Sequence, residues 1–286
     1  MSRISYVNGS YQNHMDAAVH IEDRGYQFGD GVYEVITVVG GHMADEAGHL
    51  DRLDRSLNEL SIAWPVTRSA LGVILREVAR RNKLRNGLIY FQVTRGVARR
   101  SHEFPSGVAS SLVVTAKHIP NLNNLPDPAG VSVITIPDIR WDRRDIKTIA
   151  LLPNCLGKQQ AKEAGAFEAW QVDPDGTVTE GTSSNAWIVT RDGELVTRPP
   201  TNAILNGITR MRIIAIAEES GIPFVERAFT VAEAHSAREA FVSSASSFAK
   251  PVTRIDDQVI GNGHMGALTE QLSQKYLEFI NQPAAS

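Results

Sequence analysis

Cysteine is nearly absent from this chain of 286 residues, in which Cys155 stands alone. A single cysteine can form no disulfide within the chain, and it cannot provide a cysteine-rich metal cluster. We therefore expect no metal site, and we expect a protein that works in the reducing environment of the cytoplasm.

The chain also lacks long hydrophobic runs and a strong net charge of either sign. No apolar run approaches the roughly 20 residues that span a bilayer, and the first residues lack the apolar core of a secretion signal. The formal net charge of −3 argues against nucleic acid or an anionic membrane as the main partner. With 42% hydrophobic and 21% charged residues, the composition is that of a globular protein with a substantial core.

The length of the chain is comfortable for two domains of ordinary size. Between residues 119 and 130, three prolines and three asparagines make the clearest linker of the sequence. We therefore predict an N-terminal domain over residues 1–118, a linker over 119–130 and a C-terminal domain over 131–286.

Hydrophobic spacing and turn residues predict both strands and helices in each domain. In the first domain, strands are predicted over 3–7, 10–12, 32–39, 88–94 and 111–118, with a hairpin turn at Asn8 and Gly9. Helices are predicted over 48–60 and 67–84, the second of them capped by Thr67. In the second, strands are predicted over 131–136, 166–173, 177–189 and 240–248, and helices over 154–164, 206–221 and 265–280. The glycine-rich stretch over 22–31 is predicted to be an irregular connection.

Arg52 and Arg55 lie on the first predicted helix, which has a stripe of leucines along one face. At about 100° per residue, Arg55 falls opposite the leucine stripe and faces water, whereas Arg52 falls on its flank. Arg52 can therefore reach along the helix into a cleft. On the sequence alone, a surface ion pair with a nearby carboxylate is the more ordinary role for it.

Four cations follow the strand over 88–94 within eight positions, at Arg95, Arg99, Arg100 and His102. Arginine offers a planar fork of donors that suits a carboxylate, so this loop is a candidate site for an acidic substrate group. A solvated basic loop is an equally good interpretation of the same residues.

Lys147 lies where a run of charged residues gives way to an apolar stretch. Desolvation and nearby positive charge both disfavour the ammonium form of a lysine, and a neutral amine can attack a carbonyl or form a Schiff base. Most lysines in such places are surface residues whose stems lie along apolar side chains. Taken alone, Lys147 favours that ordinary role.

Further candidates lie in the C-terminal half. Glu180 is in a strand-like run, where a buried carboxylate needs a cationic or hydrogen-bonding partner. The helix predicted over 206–221 begins with amides near Ile208 and Thr209 that suit an anion, although most helix starts bind only water. The serine-rich end of the strand over 240–248 suits a phosphate, or it forms simple turns.

A single cofactor, pyridoxal 5′-phosphate (PLP), would account for all of these features. This cofactor needs a lysine for its aldehyde, an anion site for its phosphate and a charged partner for its ring nitrogen. The sequence then resembles the fold-type IV PLP enzymes, and among them the D-amino acid aminotransferases. The resembling motifs, in chain order, are EDRGYQFGDGVYE at 22–34, HLDRL at 49–53, YFQVTRG at 90–96, RSHEFP at 100–105, DIK at 145–147, TVTEGTSSN at 177–185 and LNGITR at 205–210.

The resemblance implies an α+β fold of two domains, with a mixed, barrel-like β-sheet core and flanking helices. It implies that Lys147 forms the Schiff base and moves the substrate α-proton, and that Glu180 pairs with the ring nitrogen. The other cofactor contacts that it implies are Arg52, Leu205, Ile208, Thr209 and the turn at Ser243, Ser244 and Ala245. The family usually has a hydroxyl residue where Ala245 stands, so a contact there must come from backbone.

For the substrate, the resemblance implies a carboxylate trap made of Tyr33, Arg100 and His102. Arg99 is adjacent, and the sequence does not decide which of the two arginines faces the substrate. Arg100 and His102 would come from the neighbouring subunit, so the resemblance implies a homodimer. The implied reaction is ping-pong transamination of D-amino acids such as D-alanine with a 2-oxo acid such as 2-oxoglutarate, through a pyridoxamine form.

Several related activities share most of this cofactor apparatus. Transaminases of branched-chain L-amino acids or (R)-amines and the aminodeoxychorismate lyases remain alternatives, and so does a non-catalytic PLP-binding protein. The combination of Tyr33 with the Arg100–His102 loop favours the D-amino acid enzymes, and retention of both Lys147 and Glu180 favours catalysis.

Overall fold

The structure is a computed structural model that describes residues 3–122 and 124–282. The described residues form two compact units. The first contains residues 3–122 together with the segment Ile146–Leu151, and the second contains residues 124–145 and 152–282. Lys147 therefore belongs to the first unit, although the chain around it belongs to the second. The domain boundaries predicted from the sequence stay a prediction.

The first unit is built on an antiparallel sheet with the strand order β2-β1-β6-β5-β3-β4 among its described residues. Its strands are β1 (Ile4–Val7), β2 (Ser10–Asn13), β3 (Gly31–Val39), β4 (His42–Met43), β5 (Gly87–Thr94) and β6 (Ser111–His118). Its helices are α1 (Arg24–Phe28), α2 (Glu46–Glu59) and α3 (Arg68–Arg81). Helix α1 replaces the irregular connection that was predicted over 22–31.

Local sequence explains the ends of these elements. Asn8 and Gly9 both have positive φ, at 45° and 94°, which is the geometry of a two-residue turn that matches the twist of a hairpin. The Asp23 side chain accepts a hydrogen bond from the Gly25 amide and so begins α1. Thr67 caps α3 in the same way, by accepting from the Ala70 amide at 3.2 Å. Its role as an N-cap was predicted from the sequence.

The core of the first unit lies between the sheet and the apolar faces of α2 and α3. The predicted leucine stripe of α2 is buried, as are the inward residues of α3 and of the central strands. The core includes Val32, Ile36, Leu50, Leu53, Leu57, Leu71, Leu75, Val78, Ile89 and Phe91. Ile146 joins this cluster, which anchors the segment that carries Lys147.

The second unit contains a mixed sheet, as expected for the α+β class. Its strands are β7 (Val131–Pro137), β8 (Glu168–Val172), β9 (Val178–Gly181), β10 (Asn185–Val189), β11 (Leu195–Thr197), β12 (Phe224–Glu226), β13 (Glu239–Ser244), β14 (Phe248–Ile255) and β15 (Gln258–Val259). Strand β7 pairs in parallel with β8 and β14, and β11 pairs in parallel with β12. The helices are α4 (Leu152–Glu163), α5 (Ile208–Glu219), α6 (Val231–Ser236) and α7 (Ala267–Asn281).

Several elements of this unit differ from the prediction, including the strands β9, β10 and β14. The single strand predicted over 177–189 is two strands, β9 and β10, separated by Thr182, Ser183 and Ser184. The hydroxyls of these three residues all donate to the buried carboxylate of Glu168. These hydrogen bonds stabilise the turn that separates the two strands. Strand β14 was not predicted, because Pro251 interrupts its sequence and proline removes a donor from a strand. No helix in the described ranges is long and apolar enough to span a membrane.

Candidate active site

Lys147 is held against β3 by a short stretch of antiparallel pairing. The Tyr33 amide donates to the Lys147 carbonyl at 3.0 Å, and Val32 and Thr148 form an isolated bridge. The Lys147 amine lies 4.2 Å from the centre of the Tyr33 ring, and its side chain is half-buried. Tyr33 and Lys147, which the sequence placed in one site, are therefore in contact.

The Tyr33 ring is itself held by a second tyrosine. Tyr33 and Tyr90 stack with ring centres 5.6 Å apart, and the Tyr90 hydroxyl donates to the Gln92 side chain at 2.7 Å. Burial raises the pKa of Tyr90 to about 12. The Tyr90 hydroxyl therefore stays protonated at neutral pH and keeps the position of the ring pair fixed.

Arg52 lies in a buried ion pair rather than in the surface pair that α2 would allow. Its Nε and Nη2 atoms donate to Glu34 at 2.7 and 2.8 Å, and the His49 Nδ1 atom lies 2.7 Å from the same carboxylate. Burial alone would raise the pKa of Glu34, but Arg52 and His49 lower it to about 2. Burial lowers the pKa of His49, so a neutral His49 donates its Nδ1 proton to an ionised Glu34. As predicted, Arg55 is exposed.

The basic loop is not one cluster of equivalent cations. Arg95 is buried and donates through Nε and Nη2 to Asp30 at 2.8 and 3.0 Å, so it holds the loop in place. Arg24 binds the same carboxylate at 2.7 Å and donates to the Ser101 carbonyl at 2.6 Å. Of the four cations on this loop, Arg95 is therefore the one that is bound to a carboxylate of the protein itself.

Arg100 and His102 remain at the tip of this loop, and both are exposed. The Arg100 guanidinium lies 4.6 Å from the centre of the Phe28 ring, and the His102 ring centre lies 5.5 Å from it. Phe28 ends α1, so this helix sets the position of both predicted substrate residues. Arg99, the adjacent candidate, is also exposed.

Glu180 lies at the end of β9, and its carboxylate is 5% exposed. It accepts from Arg140 Nη1 at 2.6 Å, from Asn185 Nδ2 at 3.0 Å, and from the Leu205 amide at 3.2 Å to either oxygen. Burial raises the pKa of Glu180, and the positive charge of Arg140 opposes that effect. Leu205 and Glu180 are thus brought together, through the Leu205 backbone.

Helix α5 begins at Ile208 and Thr209, beside the same group of residues. Its N-cap is Gly207, which has no side chain to satisfy the first amides of the helix. A Cβ at Gly207 would come within 2.2 Å of the Asn185 side-chain oxygen, so only glycine fits there. The Thr209 hydroxyl is buried and lies 3.5 Å from the Tyr276 hydroxyl. This end of α5 has the donors that a phosphate group requires.

The serine-rich turn between β13 and β14 divides its hydroxyls between the core and its own loop. The Ser243 hydroxyl is buried and accepts from Trp187 Nε1 at 2.8 Å. The Ser244 hydroxyl lies 2.6 Å from that of Ser247, and both Ser244 and Ala245 are half-buried. Ser243 therefore stabilises the sheet, and Ser244 is the predicted phosphate residue that stays near the surface. In the part of the chain that the structure describes, no cluster of three potential metal ligands occurs.

Comparisons with known proteins identify the family of this chain. A family model for amino-transferase class IV matches residues 31–255. The chain belongs to the class IV aminotransferases. A D-alanine aminotransferase from Bacillus licheniformis is 44% identical to it over 266 residues, which cover 93% of both chains. Another from Staphylococcus haemolyticus is 39% identical over 280 residues, which cover 96% of this chain and 97% of the relative.

Solved structures match this class IV aminotransferase in fold. The branched-chain amino acid aminotransferase from Escherichia coli superposes with a TM-score of 0.86 at 24% identity, over 96% of this chain and 93% of its own. An aminotransferase from Mycobacterium tuberculosis does so with a TM-score of 0.83 at 23% identity, over 97% of this chain and 99% of its own. The predicted fold class and family are confirmed.

Sequence reasoning missed three side chains around Glu180 in this class IV aminotransferase. Asn185 and Arg140 contact its carboxylate directly, and Asp138 holds Arg140 by hydrogen bonds at 2.7 and 3.0 Å. The available signal was the unusual density of charge over residues 138–145. Nothing local in that run distinguishes the arginine that reaches Glu180 from its neighbours Arg143 and Arg144.

Proposed function

We propose that this aminotransferase transfers the amino group of a D-amino acid such as D-alanine to a 2-oxo acid such as 2-oxoglutarate, with pyridoxal 5′-phosphate as cofactor. The observation that carries the proposal is the 44% identity to a D-alanine aminotransferase over 93% of both chains. When bound, the cofactor withdraws electrons from the α-carbon of an amino acid and so makes its proton acidic.

The residues present fit this cofactor. Lys147 would hold it covalently through its amine. Ionised carboxylates have about four acceptor positions, so the three groups that donate to Glu180 leave room for one more donor, the protonated ring nitrogen. Leu205 would pack on the ring. The phosphate would be bound by Arg52, by the backbone of Ile208 and Thr209 with the Thr209 hydroxyl, and by the turn at Ser244 and Ala245.

Two residues of the chain would carry the chemical steps. The Nζ atom of Lys147 would take the proton from the α-carbon of the donor and pass it to the cofactor carbon that receives the amino group, and it would move a proton in the reverse direction for the acceptor. Glu180 would stay ionised and keep a proton on the ring nitrogen, which strengthens the electron withdrawal on which the acidity of the α-carbon depends. Tyr33 beside Lys147 orients the amine, since the ring lies 4.2 Å from it.

The substrate carboxylate would be bound by Tyr33, Arg100 and His102. We propose a homodimer in which Arg100 and His102 serve the site of the neighbouring subunit. Their exposure at the tip of an anchored loop supports this role. We also propose a cytoplasmic enzyme, because a chain with one cysteine needs no oxidising compartment to fold.

The test is a turnover assay of the PLP-loaded protein with a panel of amino donors and 2-oxoglutarate. We expect pyruvate from D-alanine and little or none from L-alanine. Rapid turnover of L-leucine or an (R)-amine, with no pyruvate from D-alanine, would contradict the proposed specificity. Arg100→Ala should raise KM for D-alanine with a smaller change in kcat, and Arg99→Ala is its matched control on the same loop.

A further inference from the structure

Arg140 lies between two buried carboxylates in the second unit. Its Nη1 atom donates to Glu180 Oε1 at 2.6 Å, while Nε and Nη2 donate to Asp138 Oδ1 and Oδ2 at 3.0 and 2.7 Å. The Arg140 side chain is 9% exposed, and the Asp138 side chain is fully buried. The Arg140 guanidinium thus bridges two carboxylates. Glu180 is a proposed cofactor contact, and Asp138 is not.

Asp138 holds Arg140 rigidly because its own position is fixed on several sides. It follows β7 directly, accepts from the Arg140 amide at 3.1 Å and accepts from the Thr179 hydroxyl at 2.7 Å. Thr179 is the residue before Glu180 on β9, so the same hydrogen-bonded unit links β7 to the strand that carries Glu180. The Arg144 Nη1 atom lies 3.4 Å from Asp138 Oδ2, so a second cation is close to this carboxylate.

The charges of Asp138, Arg140 and Glu180 depend on one another. Burial would raise the pKa of Asp138, but its hydrogen bonds from Arg140 bring it below the ordinary range. Burial acts against a charged Arg140, yet Glu180 and Asp138 together raise its pKa. Glu180 differs from Asp138, because the effect of burial dominates and its pKa is raised. Arg140 is the nearest group that opposes this rise. Asp138 repels Glu180, so removing Arg140 leaves two buried carboxylates without their shared cation.

We propose that Arg140, clamped by Asp138, is a positioning residue that aims Glu180 and keeps it ionised, so that the proton stays on the ring nitrogen of the cofactor. This inference rests on the proposed function, in which Glu180 accepts that proton as a hydrogen bond. A neutral Glu180 would carry the proton itself and donate it to an unprotonated ring. Arginine suits the role because its guanidinium is not deprotonated in proteins.

The test compares Arg140→Met, which removes the charge, with Arg140→Lys, which retains it. Arg198→Met is the matched control. Arg198 is also a largely buried guanidinium of the same unit, but it donates to Asp173 and Thr177 rather than to Glu180. The first readout is the ¹⁵N chemical shift of ring-labelled PLP on the protein at pH 8, which reports whether the ring nitrogen is protonated.

We expect a protonated ring nitrogen in the wild type, in Arg140→Lys and in Arg198→Met, and a shift toward the unprotonated form in Arg140→Met. The turnover number for D-alanine should fall about tenfold or more in Arg140→Met, since a change of one pKa unit corresponds to a factor of ten. Arg140→Lys should recover part of that loss.

A second readout needs no cofactor. Because burial raises the pKa of Glu180 in the folded protein, its contribution is most favourable below the unfolded pKa and is lost as pH rises through the folded value. Arg140→Met removes the cation that favours an ionised Glu180, so the pKa of Glu180 rises further and more stability is lost at high pH. The thermal midpoint of Arg140→Met should therefore fall further below that of the wild type at pH 8 than at pH 5. Adding Glu180→Gln to Arg140→Met should reduce the difference between the two pH values more than adding Glu180→Gln to Arg198→Met does.

Suppose that the wild-type protein transaminates D-alanine and that Arg140→Met folds. If the ¹⁵N shift and the turnover number of Arg140→Met then equal those of the wild type, the inference is overturned and the proposed function stays intact. Equal loss in Arg198→Met and Arg140→Met would also overturn it, by reducing Arg140 to a general structural role. A wild-type protein that binds no PLP would overturn the proposed function first, and the assignment of Arg140 with it.

Discussion

Glu34 provides the most quantitative test of how the first unit holds Arg52. The Glu34 carboxylate is fully buried and binds Arg52 and His49, which lower its pKa from the ordinary 4.5 to about 2. A difference of this size corresponds to about 3 kcal/mol, at roughly 1.4 kcal/mol for each pH unit. Because the pKa is lowered, this contribution is fully present above about pH 4.5 and is lost as pH falls toward 2.

The perturbation is Glu34→Gln, which keeps the shape of the side chain and removes its charge. We expect the variant to be less stable than the wild type by about 3 kcal/mol at pH 7, which agrees with the cost of leaving one partner of a buried ion pair alone. The difference should narrow as pH falls from 4.5 toward 2, because Glu34 takes up a proton in the unfolded wild-type chain before it does so in the folded protein. Urea unfolding of the cofactor-free protein at pH 7 and at pH 3 measures both quantities.

Glu77 on α3 is the matched control, because its pKa is also lowered to about 2, by Arg80 and Arg81. Those two arginines are 72% and 40% exposed, so solvent and salt screen the interaction. Glu77→Gln should therefore change stability little. Equal losses in Glu34→Gln and Glu77→Gln would refute the argument that burial makes the Glu34 ion pair strong.

Three further outcomes follow from the site. Lys147→Ala should remove the covalently held cofactor and abolish turnover of D-alanine, as read from the visible absorbance band and from pyruvate formation. Glu180→Gln should lower kcat more than it lowers PLP retention, and equal activity would contradict its role. Asp30→Asn should weaken the ion pairs of residue 30 with Arg24 and Arg95, which anchor the loop that carries the substrate residues. KM for D-alanine should therefore rise several-fold while the absorbance of the bound cofactor stays unchanged.

Local sequence was sufficient where structure depends on local chemistry. The helical period separated Arg52 from Arg55 correctly, and Thr67 was recognised as a helix cap. The hairpin at Asn8 and Gly9 followed from residues that tolerate positive φ. Because the family motifs are long and ordered, the family and the fold class also followed from the sequence.

Partners that lie far apart in the sequence could not be predicted in the same way. Glu34 and Arg52 are 18 positions apart, and Arg140 and Glu180 are 40 apart, so no periodicity relates them. Arg95 could not be distinguished in the sequence from the other cations of its loop, because its carboxylate, Asp30, is 65 positions away. Each of these pairs depends on which strands become neighbours, and that is decided by packing of the whole unit.

We propose that Lys147 carries the cofactor of an enzyme specific for D-amino acids. The most direct test is borohydride reduction of the PLP-loaded protein, followed by mass mapping of the modified lysine, with and without prior exposure to D-alanine or L-alanine. We predict a single adduct on Lys147 that D-alanine abolishes and L-alanine does not. An adduct on another lysine such as Lys158, or loss of the adduct with L-alanine alone, would contradict the account.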